Sequence, residues 1–176
     1  MFKKRKNTPT NEHVSTPAVQ ELEKAGAVFA VYTYTHSADH MDQGYGWEVA
    51  SQISGHEAGQ IFKTLLVKAD GEFITAVVPV TGHLSLKALA AAVGAKKAAM
   101  AEPAEAMRVT GYVVGGISPL GQKTAHRTVI NASAFDYEEI LVSGGKRGIS
   151  LGIKPEDLLA VLNKRKPATK ADIAAW

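Results

Sequence analysis

The 176-residue chain contains no cysteine. Disulfides, thiolate metal sites and a cysteine nucleophile are therefore excluded, and the composition agrees with a reducing compartment. Also missing is any apolar run approaching the length of a membrane span. The opening "MFKKRKNTPTNEH" is charged with no apolar stretch behind it, so neither a secretory signal nor a membrane anchor is expected. No internal repeat and no low-complexity segment interrupts the chain. The expectation is one cytoplasmic, soluble domain, long enough to bury a continuous core.

A large excess of basic charge is missing as well. Lysine and arginine outnumber aspartate and glutamate by 20 to 17, but Lys3, Lys4, Arg5 and Lys6 lie at one end and Lys164, Arg165, Lys166 and Lys170 at the other. Residues 7–163 hold 12 basic residues against 16 acidic ones and net about −4. A broad groove that tracks a phosphate backbone needs clustered cations. Any nucleic-acid contact is therefore expected to be local, helped by the ends. Residues 1–15 read as a disordered basic tail, 16–163 as the domain and 164–176 as a second basic tail.

What is present is a series of short elements with clear punctuation. In "STPAVQELEKAG" Thr16 can cap a helix, Pro17 suits its first turn and Gly26 can close it. "AVFAVYTYT" reads as a strand and "GWEVASQIS" as a short helix ending near Gly55. Two strands joined at Asp70-Gly71 account for "IFKTLLVKADGEFITAVVPV". Ser85 caps a helix with the apolar stripe Leu86, Leu89, Ala90 and Val93, and Pro103 opens one or two further turns. "RTVINASAF" and "EEILVSGGKRGISLGI" add strands, and a final helix carries Leu158, Leu159, Val161 and Leu162. Strands following one another through short turns, with a few helices, predict a mixed and largely antiparallel α/β domain or partial barrel; a doubly wound sheet is the alternative.

Several stretches could carry chemistry. "GISPLGQKT" (116–124) misses a phosphate-binding P-loop by one residue: Gln122 displaces Lys123, Pro119 removes an amide donor, and the β-branched "TAHRTVIN" stands where a helix should start. Nor is Ser118 placed as a hydrolase nucleophile, because proline follows it and the final glycine of G-x-S-x-G is absent. Two readings remain for Gly115, Gly116, Ser118 and Gly121: backbone groups turned toward a ligand, or a tight structural loop. "SGGKRG" (143–148) is either an anion site at Lys146 and Arg147 or a hairpin turn with solvated charges. Lys63 interrupts the apolar strand "IFKTLLV", and its ammonium either reaches solvent or enters a cleft. His36, His40, Asp39 and Asp42 form either a metal cluster without recognised spacing or a solvated loop. His126 lies near the glycine loop, but no base, orienter and nucleophile can be grouped from the sequence.

In order and spacing, "TPAVQELEKAG", "YTYTHS", "YGWEVA", "IFKTLLV", "GYVVGGISPLGQK" and "ILVSGGKRG" closely resemble the YbaK family of free-standing aminoacyl-tRNA editing proteins, from about Thr16 to Leu162. Within that family the likeness is to the Cys-tRNA(Pro) deacylases, relatives of the editing insertion of bacterial prolyl-tRNA synthetases. The resemblance implies a compact mixed sheet flanked by helices, hydrolysis of the ester joining a wrong amino acid, chiefly cysteine, to tRNA, and no metal or organic cofactor. It also implies a synthetase partner, prolyl-tRNA synthetase, that supplies tRNA specificity. Matched by motif, Lys63 and Thr64 belong to the pocket, and Gly115, Gly116, Ser118 and Pro119 to the G-x-x-x-P loop. Ser143 falls in the second loop, and Tyr34 and Tyr45 at aromatic pocket positions. Lys63, Gly115 and Ser118 are the residues expected to serve catalysis, the others to bind substrate. The substrate's own thiol is the implied nucleophile, so the protein needs none. Two positions depart from the pattern: Ser37 and Ser150 stand where aspartate is expected, the latter near the pocket. An editor of Ala-tRNA(Pro), or a binding module without turnover, is the competing expectation.

Overall fold

The computed structural model describes residues 14–34 and 55–176. The N-terminal basic residues, the helix expected over "GWEVASQIS", and Ser37, Tyr45 and the His36–Asp42 cluster lie outside the described residues.

Helix α1 (Pro17–Ala25) begins where Thr16 accepts the Val19 amide at 3.2 Å and ends at Gly26 in the left-handed conformation, φ 69°. Thr16 has a second role, because its hydroxyl donates to the carbonyl of Gly144 at 2.6 Å and ties the helix start to a distant turn. Strand β1 (Phe29–Thr33) follows, and β2 (Phe62–Ala69) pairs with β3 (Glu72–Pro79) along its whole length. Their two-residue turn needs positive φ at both positions, and Asp70 (50°) and Gly71 (87°) supply it. The Asp70 carboxylate accepts the amides of Lys96 and Lys97 at 2.9 and 3.1 Å, which holds its pKa below the ordinary aspartate value. The hairpin tip is thereby fastened to the segment leading into β5.

Next come β4 (His83–Leu84), α2 (Leu86–Val93, capped by Ser85), β5 (Ala98–Met100) and α3 (Pro103–Thr110). Residues 111–126 form an irregular loop, after which β6 (Arg127–Asn131) runs into a 3-10 turn over Ala132–Asp136. Strands β7 (Ile140–Ser143) and β8 (Ile149–Ile153) form the second hairpin, and α4 spans Pro155–Asn163.

After α4 come β9 (Ala168–Ala171) and β10 (Ala174–Ala175), and three sheets result among the described residues. The two larger have the orders β1-β8-β7 and β5-β2-β3-β6-β9, a parallel bridge between Ile61 and Leu141 joins them at the start of β2, and β4 with β10 forms the third. Among the described residues, five of the seven strand pairings are antiparallel and two parallel. The architecture is thus mixed α/β with antiparallel pairing dominant, and not doubly wound. Alternation along β3 divides the core: Val77 packs toward the three-stranded sheet, α1 and α4 with Leu22, Leu151 and Leu158, whereas Ile74, Ala76 and Val78 pack toward Leu89 of α2.

The C-terminal segment is not a tail. After α4 the chain returns as β9 (Ala168–Ala171), parallel to β6 at the edge of the larger sheet, and β10 (Ala174–Ala175) pairs with β4. Ile173 is fully buried. Asn131 secures this return, its side-chain oxygen accepting the amides of Ile173 at 2.9 Å and Ala174 at 3.0 Å. Lys170 sits 4.8 Å from the Phe135 ring centre, so one of the supposedly free cations packs on an aromatic face. Charge counting misread this segment because its apolar anchors, Ala168 and Ile173, are few and spaced among polar residues. Asn131→Ala strands two backbone amides and is expected to destabilise folding by about 2–4 kcal/mol. Urea unfolding measures that loss, and an unchanged midpoint contradicts the anchoring role.

Candidate active site

A cavity of about 630 Å³ opens between the two sheets, under α3 and the irregular loop. Strand β2 contributes Phe62, Lys63 and Thr64; β7 and β8 contribute Ser143 and Ser150; the end of β1 contributes Tyr34. Opposite stand Met100, Ala106, Gly115 and Ile117. Ser143 and Ser150 are cross-strand partners, the last pair before the "GGKRG" turn, so one register places both hydroxyl residues at the same end. That turn is the hairpin alternative of the sequence reading, closed by the Gly144 amide donating to the Ile149 carbonyl at 2.8 Å.

Lys63 is the one charged side chain among the described residues lining the cavity. It is half-buried, no carboxylate pairs with it among the described residues, and burial pushes its ammonium pKa below the ordinary lysine value. The hydroxyl of the adjacent Thr64 is buried without a hydrogen-bond partner. On the opposite wall, the amides of Val114, Gly115 and Ile117 donate to no acceptor among the described residues. The arrangement therefore brings one cation, one buried unsatisfied hydroxyl and three free backbone donors together within largely apolar walls. Such a site can hold a polar group and stabilise a developing oxyanion; among the described lining residues it contains no histidine or carboxylate to act as a general base.

The loop that supplies the amides is held by glycines. At Gly116 a side chain would press on the Lys146 and Arg147 backbone at 3.2 Å, so the loop and the β7–β8 turn are in close contact. Arg147 adds a bond from Nη2 to the Val114 carbonyl at 3.2 Å. Gly121 has φ 66° and lies against the backbone of Pro17, with its amide donating to the Glu21 carboxylate.

Of the residues named from the sequence, Tyr34, Lys63, Thr64, Gly115, Ser143 and Ser150 meet at the cavity. Gly116, Ser118 and Pro119 do not line it. Ser118 is fully buried behind the wall, its Oγ accepting the Leu120 amide at 3.2 Å and its carbonyl accepting from the Gln122 side chain at 3.0 Å. A catalytic role for its hydroxyl at the cavity is not what this placement offers. Tyr45 lies outside the described residues. His126 is also away from the cavity, 2.7 Å from Gln122, with its pKa lowered by burial and by the cations Lys166 and Arg165. Sequence inspection missed the apolar walls from β5 and α3, whose residues carry only an ordinary core signal. It also missed a neighbouring cluster in which His56 Nε2 meets Glu139 at 2.7 Å and Tyr32 reaches the same carboxylate at 3.4 Å. Burial, and then Glu139, raises the Tyr32 pKa well above the ordinary tyrosine value. Among the described residues no three histidine, aspartate or glutamate side chains gather as a metal ligand set, and no helix is long and apolar enough to cross a membrane.

Fold and site together define a small mixed α/β domain with a largely apolar cleft carrying one lysine. Residues 42–161 match the aminoacyl-tRNA editing domain family, and the chain belongs to that family. The Enterococcus faecalis protein named "Putative Cys-tRNA(Pro)/Cys-tRNA(Cys) deacylase EbsC" is 34% identical over 164 residues, covering 93% of this chain and 94% of its own length. The Escherichia coli "Multifunctional Ser/Thr-tRNA deacylase ProXp-y" is 29% identical over 119 residues, 65% of this chain and 71% of its own. A solved structure of a "putative trans-editing enzyme for prolyl tRNA synthetase" superposes with a TM-score of 0.78 at 24% identity, over 93% of this chain and all of that one. The hypothetical protein APE2540 superposes at 0.77 with 18% identity, over 91% of this chain and all of that one. Family membership supports tRNA deacylation of the trans-editing kind in general.

Lys63 also yields a stability prediction. Because its folded pKa is depressed, the unfolded chain binds more protons between that value and the ordinary 10.5, so the parent gains stability as pH rises through this window. Lys63→Met lacks that slope. In denaturant titrations the variant is expected to be at least as stable as the parent at neutral pH, with its relative advantage shrinking toward the ordinary lysine pKa. A pH-independent difference contradicts a desolvated ammonium.

Proposed function

We propose that this chain hydrolyses the ester of Cys-tRNA(Pro), releasing a wrongly attached amino acid after it has left the synthetase. The observation that carries this reading is a cleft with free amides and a half-buried lysine but, among its described lining residues, no histidine or carboxylate to activate a serine or threonine hydroxyl. An aminoacyl ester is already activated, so orientation and oxyanion stabilisation suffice when the substrate brings its own nucleophile. In the proposed path the cysteine thiolate attacks the ester carbonyl carbon. A C–S bond forms, the C–O bond to the ribose breaks, and the ribose oxygen leaves and takes up a proton from solvent. Water then opens the resulting cyclic thioester. Lys63 holds the terminal adenosine or its phosphate, and the Gly115 and Ile117 amides face the oxyanion. Tyr34, Thr64, Ser143 and Ser150 shape the amino-acid end. Gly116 and Pro119 act through the loop's course, as does Ser118, and Tyr45 is retained as an aromatic wall position. Prolyl-tRNA synthetase is the proposed source of tRNA specificity, consistent with a middle region that nets about −4 and has little intrinsic grip on RNA.

A second reading follows from the hydroxyls. Thr64 Oγ1 has no partner, and Ser150 occupies the position at which a carboxylate was expected. A serine or threonine hydroxyl could satisfy Thr64, and the relative named as a Ser/Thr-tRNA deacylase makes these substrates the main competitor.

Purified protein should remove cysteine from Cys-tRNA(Pro) faster than it deacylates Ala-, Ser- or Thr-charged tRNA. Lys63→Ala and Gly115→Pro should each slow the reaction by about a hundredfold, the scale of one lost electrostatic contact or amide donor. A substrate with a methylated thiol should resist hydrolysis. Preference for the serine or threonine ester, or parental rates in both variants, would reject this assignment.

A further inference from the structure

Gln122 displaces the lysine of the apparent P-loop in sequence and does not touch the cavity. The residue is nevertheless almost completely buried, at 4% exposure, and both polar atoms of its side chain are hydrogen-bonded. Nε2 donates to the Ser118 carbonyl at 3.0 Å, while Oε1 accepts from the Thr75 hydroxyl at 3.2 Å and lies 2.7 Å from His126 Nδ1. The Ser118 carbonyl can only accept, which fixes the orientation of the amide; Oε1 can only accept, which places the His126 proton on Nδ1. Burial and the nearby Lys166 and Arg165 favour the neutral imidazole in that tautomer.

The residue is anchored on its backbone side too. Its carbonyl accepts from Arg165 Nη1 at 3.1 Å, the preceding amide of Gly121 is bound to Glu21, and the following amide of Lys123 donates to Thr110 at 2.8 Å. Thr75 belongs to the central strand β3 and is fully buried. One side chain therefore transmits the position of the sheet centre to the Ser118 carbonyl. From Ser118 back to Val114 the wall is otherwise fixed by the 2.9 Å bond from the Gly116 amide to Val113, the bond from Arg147 to the Val114 carbonyl, the packing of Gly116 on the β7–β8 turn and that of Ile117 on Leu66, Ala106 and Val109.

We propose that Gln122 is a positioning residue: through the Ser118 carbonyl it holds the Gly115–Ile117 wall so that its free amides face the cavity. The effect on turnover rests on the deacylase reading above; the effect on the loop does not. Glutamate is the sharpest replacement, because it keeps the length and the acceptors for Thr75 and His126 but cannot, when ionised, donate to Ser118. Methionine removes all three bonds, and Thr75→Val removes one donor to the amide while leaving the bond to Ser118.

The full chain carrying Gln122→Glu, Gln122→Met or Thr75→Val is compared with the parent in single-turnover deacylation of Cys-tRNA(Pro) and in binding of an amide-linked, unreactive analogue. Both Gln122 variants should lose roughly tenfold or more in rate with binding changed by less than about twofold, and Thr75→Val should stay within about threefold of the parent. Amide hydrogen exchange should quicken at Gly116 and Leu120 but not at Val77 in the sheet. Parental rates in the Gln122 variants, a loss in Thr75→Val equal to theirs, or unchanged exchange at Gly116 and Leu120 would overturn the proposal. If Gln122→Met fails to fold, Gln122→Glu decides. If the parent hydrolyses none of the esters, the functional reading fails while the exchange measurement still tests the loop.

Discussion

A buried irregular loop must have its polar backbone groups satisfied one at a time, and residues 111–124 meet much of that demand with side chains from all over the fold. Tyr112 donates to the Leu120 carbonyl at 2.6 Å, Glu21 of α1 accepts the Gly121 amide, Gln122 donates to Ser118, and Thr110 at the end of α3 accepts the Lys123 amide. Burial raises the Tyr112 pKa, so the phenol remains a donor at any physiological pH. Among the amides that find no acceptor among the described residues, those of Val114, Gly115 and Ile117 belong to the part of the loop that lines the cavity. Donors left unsatisfied by the fold are available to a ligand.

The same division between satisfied and unsatisfied groups runs through the opposite wall. Lys63 and Thr64 occupy successive positions on a strand paired along its whole length to β3, so their backbones are secured while an ammonium and a hydroxyl are left over. Partial burial of a cation that has no carboxylate partner among the described residues costs folding free energy, and a core strand has no structural need for it. Rigid support beneath reactive groups is what makes preorganised electrostatics effective, since the donors need not reorganise as charge develops. The hairpin at Asp70-Gly71, far from the cavity, contributes by fixing the β2–β3 register.

Local chemistry was readable wherever neighbours in sequence are also neighbours in space. Thr16, Ser85 and the Asp70-Gly71 turn behave as their residue types dictate, because each satisfies backbone groups within a few positions. The C-terminal strands were not readable: Ala168 and Ile173 are buried by a sheet edge and by Asn131, which their own neighbourhood does not announce. "ASAF" became a 3-10 turn after β6 because Asn131, the last strand residue, turns its side chain to the returning chain and to Ser133. At the site, the motif match brought out six residues that meet at the cavity, yet it grouped Ser118 and Pro119 with them although the loop turns those two inward.

By itself the sequence determined the family and the elements whose caps and turns are local, such as α1, α2 and the β2–β3 hairpin, since these depend on residue order and on periods of two and 3.6 that survive without knowledge of distant contacts. Only the tertiary structure decided which polar groups are spoken for. Gln122 and Lys123 are adjacent and equally polar in the sequence, but one is sealed against β3 and the other is exposed. Lys63 and Lys68 lie on the same strand, yet Lys68 pairs with Glu105 at 3.2 Å while Lys63 faces an apolar cleft. Availability for chemistry is set by the partners that folding brings within hydrogen-bonding distance, and those partners are supplied by segments remote in the chain.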